Sequence, residues 1–552
     1  MSEGTKFRPI GIVGENSSPT EVDIKALTPV PTGTYIYIRF RVKDPIKEEE
    51  QFREVIGIIG SSTYRSVVPI VTTPNLGMYE VPTATDYKKE SFMKALLIAD
   101  ITNGYAEVPR HPPPPESPVY PASPNHLRIV YSYDVNSSVR VGTLAGFEDI
   151  EVRVNINALA KHLLITGATG SGKSNLVSII ADRVAQVGGS VVIFDVHGEY
   201  VGLESEDPAK VTVVNYDASI NLIKSPISLL VNFIIPERQA TKQRRILRNA
   251  IRRLNNDIVD YSLKYRISYS EAVKRLYNEK LSKGKKDLLS DSGADSELNP
   301  LEAYRELLKY NVIGLSDSKL KGGLNKAVED VIDKIDDFFE WHKVSLDSPE
   351  VSEVLGSSKI VVVDVSPLTD EEKDWMLKVI AENILWSLKE RKVIPTLLVV
   401  EEAHIFLSKD TTTISKQALQ RFIREGRKFG AMLAVVSQRP RALDTNVVSQ
   451  VQNYAFLKLI QRSDRSTVMD ISDILSDEYA NILPTLPPGY GILLGEWIGR
   501  YPVYTKIDYH AGKRVGATPN IMDIWVRNRE LISKRREKAL ELSSLSNEWE
   551  VK

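Results

Sequence analysis

From residue 160 onward, short apolar runs recur along the chain: "HLLITG", "SVVIFDV", "VTVVNY", "KIVVVDV", "TLLVVEEAH", "AMLAVVSQ", "YAFLKLI" and "YGILLGEW". They are too continuously apolar for strands with one wet face, and stretches of helical spacing separate several of them. A sheet buried on both faces by crossover helices produces that pattern, so the expected class is α/β. Between about residues 220 and 350 the alternation stops. "TKQRRILRNAIRRLNND", "YSEAVKRLYNEKL" and "LNKAVEDVIDKIDDFFEWH" read as a polar helical insertion, with a loop at "SKGKKDLLSDSGADSELN".

Ahead of residue 145 the runs are rich in Val, Ile and Tyr and broken by Gly, Pro and Asn: "YIYIRFRV", "REVIGIIG", "SVVPIVTT", "KALLIAD", "LRIVYSYDV". These predict the strands of a small β-barrel or sandwich. "HPPPPESPVYPASPN", His111 to Asn125, reads as an extended polyproline spacer loop within or beside it. The tail from about 515 is helical in pattern, highly charged, and placed to reach a neighbouring subunit. The expected division is a barrel over 1–145, an α/β core over 146–220 and 351–512, the insertion over 221–350, and a C-terminal extension over 513–552.

Composition narrows the classes. A chain of 552 residues has room for two to four domains, and 42% hydrophobic with 26% charged residues is globular and soluble. The net charge of -1 means that affinity for nucleic acid must come from local basic patches. The absence of cysteine excludes disulfides, thiolate metal sites and cysteine catalysis. Few Met and Cys beside abundant Lys, Glu, Ile and Val fit a thermophile. No run reaches the length of a membrane span, and "MSEGTKFRPI" lacks a signal peptide's apolar core, so a cytoplasmic protein without membrane contact is expected.

The candidate chemistry starts at "ITGATGSGKSN". Gly167, Ala168, Thr169, Gly170, Ser171, Gly172, Lys173 and Ser174 match G-x-x-x-x-G-K-[ST] in full, between an apolar strand and a helix, and with Asn175 they are the expected nucleotide-binding residues. Glycines let backbone N–H groups turn onto phosphate oxygens, and the helix N-terminus adds positive charge. Lys173 would reach the outer phosphates and Ser174 would ligate Mg2+, so ATP and Mg2+ are the expected cofactors. "TLLVVEEAHIF" delivers Glu401 and Glu402 to a strand tip, at the cleft where open α/β sheets bind ligands. Glu401, where Asp is usual, would hold the Mg2+ shell, and Glu402 would polarise the attacking water. Ser437 and Gln438 end another strand as candidate γ-phosphate or water sensors.

Other positions carry two readings each. Arg421, Arg424 and Arg427 step along a helix closed by Gly430: a solvated face, or an arginine finger for a neighbour's nucleotide. "FDVHGEY" ends a strand in Asp195, His197 and Glu199; Asp195 either joins the Mg2+ site or caps a turn. His162 reads as structural. In "LSKDTTTISKQALQR", Lys409 and Lys416 flank a Thr-rich turn that is either a solvent loop or a pore loop gripping DNA phosphates.

Taken together, "ITGATGSGKS", "FDVHGEY", "LLVVEEAHIFL", "REGRKFG" and "VVSQRP" resemble the archaeal HerA helicase family, within the HerA–FtsK group of translocases. The resemblance implies a RecA-like P-loop ATPase core behind an N-terminal barrel, with a helical insertion and a C-terminal extension. It implies a homo-hexameric ring that threads double-stranded DNA and acts in end resection with a NurA-type nuclease and Mre11- and Rad50-type repair proteins. By the same resemblance Lys173 and Ser174 are the P-loop residues, Glu402 the catalytic glutamate and Gln438 the sensor. Arg427 falls on the trans-acting arginine, with Arg424 second. The competing readings are a conjugation- or secretion-type motor ATPase, and a nucleotide-gated scaffold whose hydrolysis is incidental.

Overall fold

The structure is a computed structural model that describes residues 8–43, 50–67, 88–131, 134–237, 239–282, 299–315, 326–472, 475, 477–499 and 501–512, with separate positions between 522 and 532. The expected loop at "SKGKKDLLSDSGADSELN" and nearly all of the C-terminal extension lie outside the described residues.

Six strands close an N-terminal barrel: β1 (Gly11–Ser17), β2 (Glu21–Ala26), β3 (Tyr35–Lys43), β4 (Glu50–Val67), β5 (Lys88–Asp100) and β6 (Pro118–Pro121), in the order β1-β2-β5-β4-β3-β6. Two-residue alternation builds it. Ile36, Ile38 and Phe40 of β3 point into the barrel's own core, while Tyr35 packs into the larger core of the next domain. The polyproline stretch is a correction. Its residues 118–121 form β6, which pairs with both β1 and β3 and completes the closure. Prolines are tolerated there because they stand at the two ends of a four-residue strand.

A second correction concerns "LRIVYSYDV". Pro124–Val130 is a helix, started by Ser123, whose hydroxyl accepts from His126 N–H while the His126 ring accepts from Ser123 N–H. The strands that follow, β7 (Ser138–Leu144) and β8 (Phe147–Asn155), join the second domain's sheet. The division between the domains therefore falls before Ser138, earlier than the expected 145/146.

That sheet has eleven strands. Besides β7 and β8 it contains β9 (Leu163–Thr166), β10 (Ser190–Asp195), β11 (Thr212–Asp217), β14 (Lys359–Asp364), β15 (Thr396–Val400), β16 (Ala431–Ser437), β17 (Asn453–Phe456), β18 (Tyr490–Gly495) and β19 (Val503–Ile507). The order is β11-β14-β10-β15-β16-β9-β17-β18-β19-β7-β8, parallel from β11 to β17 and antiparallel beyond. The continuous apolar runs have the expected cause: every residue of β10, β15 and β16 is buried. Burying one Val, Leu or Ile side chain contributes about 1.5–3 kcal/mol, so these strands dominate the core's stability.

The insertion leaves and re-enters through a two-residue parallel pair, β12 (Ile220–Asn221) and β13 (Val344–Ser345). Among the described residues it holds the helices Ile227–Ile234, Thr241–Tyr265, Tyr269–Tyr277, Pro300–Leu315 and Lys326–Trp341. No helix among the described residues is long and apolar enough to cross a membrane.

Candidate active site

The parallel strands β9, β10, β15 and β16 all end at one edge of the sheet, and the loops there carry the candidate chemistry. β9 ends at Thr166, and the helix Lys173–Gln186 starts seven residues later. The loop between them needs left-handed backbone at Gly170 (φ 73°) and Gly172 (φ 105°). A Cβ on Gly172 would also stand 3.2 Å from Gly489 N. The loop is braced from outside: Ala168 N donates to Lys458 O (2.7 Å) and Gly489 N donates to Ser171 O (3.0 Å). No side chain caps the helix at Gly172, so its first N–H groups remain for an anion. The buried Ser171 hydroxyl has no hydrogen-bond partner among the described residues. Lys173, also buried, curls back to donate to Gly167 O (2.9 Å) and Ala168 O (3.1 Å). Burial lowers its pKa, against the opposing pull of Glu402, Glu401 and Glu199. The cradle, its cation and its uncapped helix fit a polyphosphate.

β15 hands over to Glu401 and Glu402, both buried. Glu402 has a left-handed backbone (φ 45°), which costs of order 1–3 kcal/mol for a non-glycine residue and is held by its neighbours. Gln438, just after β16, donates from Nε2 to Glu402 Oε1 and accepts at Oε1 from Thr169 Oγ1 (2.7 Å). One amide thus links the phosphate loop to Glu402. On the other side, His404 Nδ1 lies 3.1 Å from Glu402 Oε2 and 3.4 Å from Ser437 Oγ. Burial pushes the Glu402 carboxyl up, but His404, Gln438 and the Lys173 charge outweigh it, so it lies below the usual range. Glu402 is therefore held as the carboxylate.

Glu401 differs. Burial, reinforced by Glu199, Asp195 and Glu402, pushes it up to about 8 although the Tyr200 hydroxyl donates to it. The carboxylate that reaches Ser174 is Glu199, which accepts from Ser174 Oγ at 2.5 Å. Asp195 takes its turn-capping alternative. Its oxygens accept from the N–H groups of His197 (3.3 Å), Glu199 (3.1 Å) and Tyr200 (2.8 Å), which aims Glu199 at Ser174. Those N–H groups engage both Asp195 oxygens in the turn. Among the described residues no group of three or more His, Asp or Glu is placed to hold a metal ion by itself. Mg2+ takes one or two carboxylates and completes its shell with phosphate oxygens and water.

Sequence similarity now bears on the geometry. A family model described as the central domain of helicase HerA matches residues 139–384. The chain is 31% identical over 535 residues to the DNA double-strand break repair helicase HerA of Sulfurisphaera tokodaii, covering 95% of this chain and 98% of that one. With the protein of the same name from Saccharolobus solfataricus it shares 32% over 542 residues, 95% and 97% of the two chains. The chain belongs to the HerA helicase family. Among solved structures, VirB4 of Thermoanaerobacter pseudethanolicus overlaps 71% of this chain and 100% of its own at 16% identity, with a TM-score of 0.40.

The residues that the resemblance singled out fall at two places. Lys173, Ser174, Glu402 and Gln438 converge at the edge just described. Arg424 and Arg427 do not. The helix Ile414–Gly426 runs back between β15 and β16, so both arginines lie at the edge where β16 begins. The seven residues of β16 separate Arg427 from Gln438 by roughly 20 Å. Both are exposed, and neither joins an ion pair among the described residues, whereas Arg421 pairs with Glu425 (3.4 Å). His162 is structural, as expected. It accepts from Leu433 N–H at Nδ1 (3.2 Å), leaving Nε2 to donate to Ile423 O (3.2 Å).

Lys416 is a correction. Only 15% of its side chain is exposed; it pairs with Asp444 (2.5 Å) and donates to Ser408 O (2.8 Å), so in this structure it braces its own loop, a partner the solvent-loop and pore-loop readings both lacked. Lys409 is exposed. Sequence reasoning missed His404 altogether, although its place two residues after the candidate base was a usable signal. Asn175, expected among the nucleotide-binding residues, donates to Asp508 O (2.7 Å) and accepts from His510 N–H (3.0 Å).

Proposed function

We propose that this chain is an ATP-driven DNA translocase and helicase of double-strand break repair, working as a homo-hexameric ring on duplex DNA. The observation that carries the chemistry is the bridge Thr169–Gln438–Glu402, which places a buried, ionised carboxylate one amide away from the phosphate loop. Lys173 and the uncapped N–H groups of its helix bind the β- and γ-phosphates. Glu402 accepts a proton from the attacking water, and Gln438 sets its direction. Mg2+ would be held by the Ser174 hydroxyl with Glu199 or Glu401 near it, and supplies charge neutralisation at the phosphates. Arg427, out of reach of its own chain's loop, serves the site of the next subunit, and Arg424 is its alternate. The DNA reading is supported by membership of a family whose relatives bear the name of DNA double-strand break repair helicases. A NurA-type nuclease and Mre11- and Rad50-type proteins are the partners in this reading, and Lys409 remains a candidate contact to the DNA backbone.

The test is phosphate release with and without duplex DNA. The parent protein hydrolyses ATP faster with DNA. Lys173→Ala loses ATP binding, whereas Glu402→Gln keeps binding and loses about 10²–10⁴-fold in turnover. A glutamine variant with parental turnover removes Glu402 from its role. Hydrolysis indifferent to DNA returns the scaffold reading.

A further inference from the structure

The helix Thr241–Tyr265 presents two unlike faces. Leu247, Ala250, Ile251, Leu254 and Ile258 enter the insertion's core. Asn255, also buried, donates to Leu222 O (2.7 Å) and accepts from Tyr304 OH (2.8 Å), which fixes the helix's rotation. Lys242, Arg245, Arg248, Arg252 and Arg253 are consequently all exposed, and none joins an ion pair among the described residues. They cover an arc of about 140° and about 16 Å of helix axis.

Helix physics does not favour this arrangement. The N-terminus already carries the positive end of the helix dipole, and the first turn has no acidic residue to offset it. Lys242/Arg245, Arg245/Arg248 and Arg248/Arg252 set like charges three or four residues apart, where they repel. Arg244 shows the alternative: it turns back onto Ile235 O and Asn232 Oδ1. Asp257 and Asp260 follow further along the helix, and Asp257 is taken by Lys280 (2.6 Å). A solvated face usually mixes signs; this one is cationic for three turns, on a chain whose net charge is only -1.

We infer that this face docks the sugar-phosphate backbone of nucleic acid, as a contact separate from the ATPase core. Its span is close to the width of a duplex major groove, about 12 Å, so the outer cations can meet phosphates on both sides. Contacts to phosphates carry no sequence information, so binding through this face is independent of sequence. The inference rests on the DNA-motor reading, and it supplies cations that Lys416, paired with Asp444, does not.

The test uses the full chain and a fluorescein-labelled duplex of mixed sequence, with affinity measured across a salt series. The triple variant Arg245→Gln, Arg248→Gln, Arg252→Gln weakens binding equally for unrelated sequences. It also reduces the slope of log affinity against log salt by about one unit per substitution. The triple Arg→Lys variant at the same positions keeps the parental slope, which ties the effect to charge and controls for folding. ATP turnover without DNA is unchanged in both. An unchanged slope in the glutamine variant overturns the inference, as does a changed particle mass with an unchanged slope, which would make the face a protein contact. A parent that binds no duplex sinks the motor reading itself; a parent that binds, beside an equal variant, sinks this face alone.

Discussion

Where β9, β10, β15 and β16 end, the groups are buried, mutually hydrogen-bonded and strained: Lys173 under its loop, Glu402 at positive φ, and Gln438 between them. Where the same strands begin, the arrangement is reversed. His162 is sealed into the backbone, and Arg424 and Arg427 stand exposed above it. One edge is preorganised to hold a reacting centre, and the other is prepared to offer charge outward. The sheet keeps them roughly 20 Å apart. In the function proposed above, the outward edge of one chain would stack on the inward edge of another and supply the charge that edge lacks.

The strongest way to break that comparison is Arg427→Ala. It should lower turnover by about 10³-fold or more while leaving ATP binding in place, because the charge acts on the transition state. Mixing it with Lys173→Ala should return part of the activity, since some interfaces then draw both intact edges. Mixed rings no better than either parent, checked by steady-state hydrolysis, would place the arginine in cis or nowhere. If Arg424→Ala has the larger effect, the two exchange roles.

A smaller effect is expected at the inward edge. His404→Leu removes a contact to the ionised Glu402 worth about 1.5–3 kcal/mol, or about tenfold to a hundredfold in kcat, with KM unchanged. His404→Asn, which restores a donor near Nδ1, should recover most of it. A loss in KM alone, or a leucine variant with parental kcat, would make His404 a spectator.

The mildest perturbation tests the claim that His162 is structural. Burial lowers its pKa to about 4, against the Ile423 carbonyl and helped by the Arg427 charge. The folded value lies below the unfolded one, about 6.5, so the unfolded chain takes the proton first as pH falls. The contribution, about 3 kcal/mol, is present above pH 6.5 and falls away between there and pH 4. Chemical denaturation at pH 7 and pH 5 should show His162→Gln losing less stability than the parent over that interval. Equal losses would remove His162 from the account.

The strands of the central sheet were readable because burial on both faces leaves a continuous apolar run, and its short length and β-branched content separate it from a buried helix. The phosphate loop was readable because its spacing is dictated by covalent reach. What escaped depended on partners distant in sequence. Residues 118–121 become a strand only because β1 and β3 wait on either side, and Lys416 loses its freedom to Asp444, 28 positions on. Asp195 and Glu199 sat in one quoted motif, yet only the turn's hydrogen bonds decide which of them faces Ser174. "LRIVYSYDV" misled because its β-branched and aromatic content outweighed, on paper, the helix start signal at Ser123 and Pro124.

Asn175 gives both ends of its amide to the backbone on either side of Tyr509. The first turn of the nucleotide helix and the segment 508–512 are therefore coupled like a lever and its fulcrum: the helix cannot pivot without carrying that segment or breaking two hydrogen bonds. Ala511 is exposed on the lever arm, and the chain has no cysteine of its own. Ala511→Cys accordingly gives a single labelling point on that arm; its dye signal should change when ATP is added, and an unchanged signal would uncouple the arm from the loop.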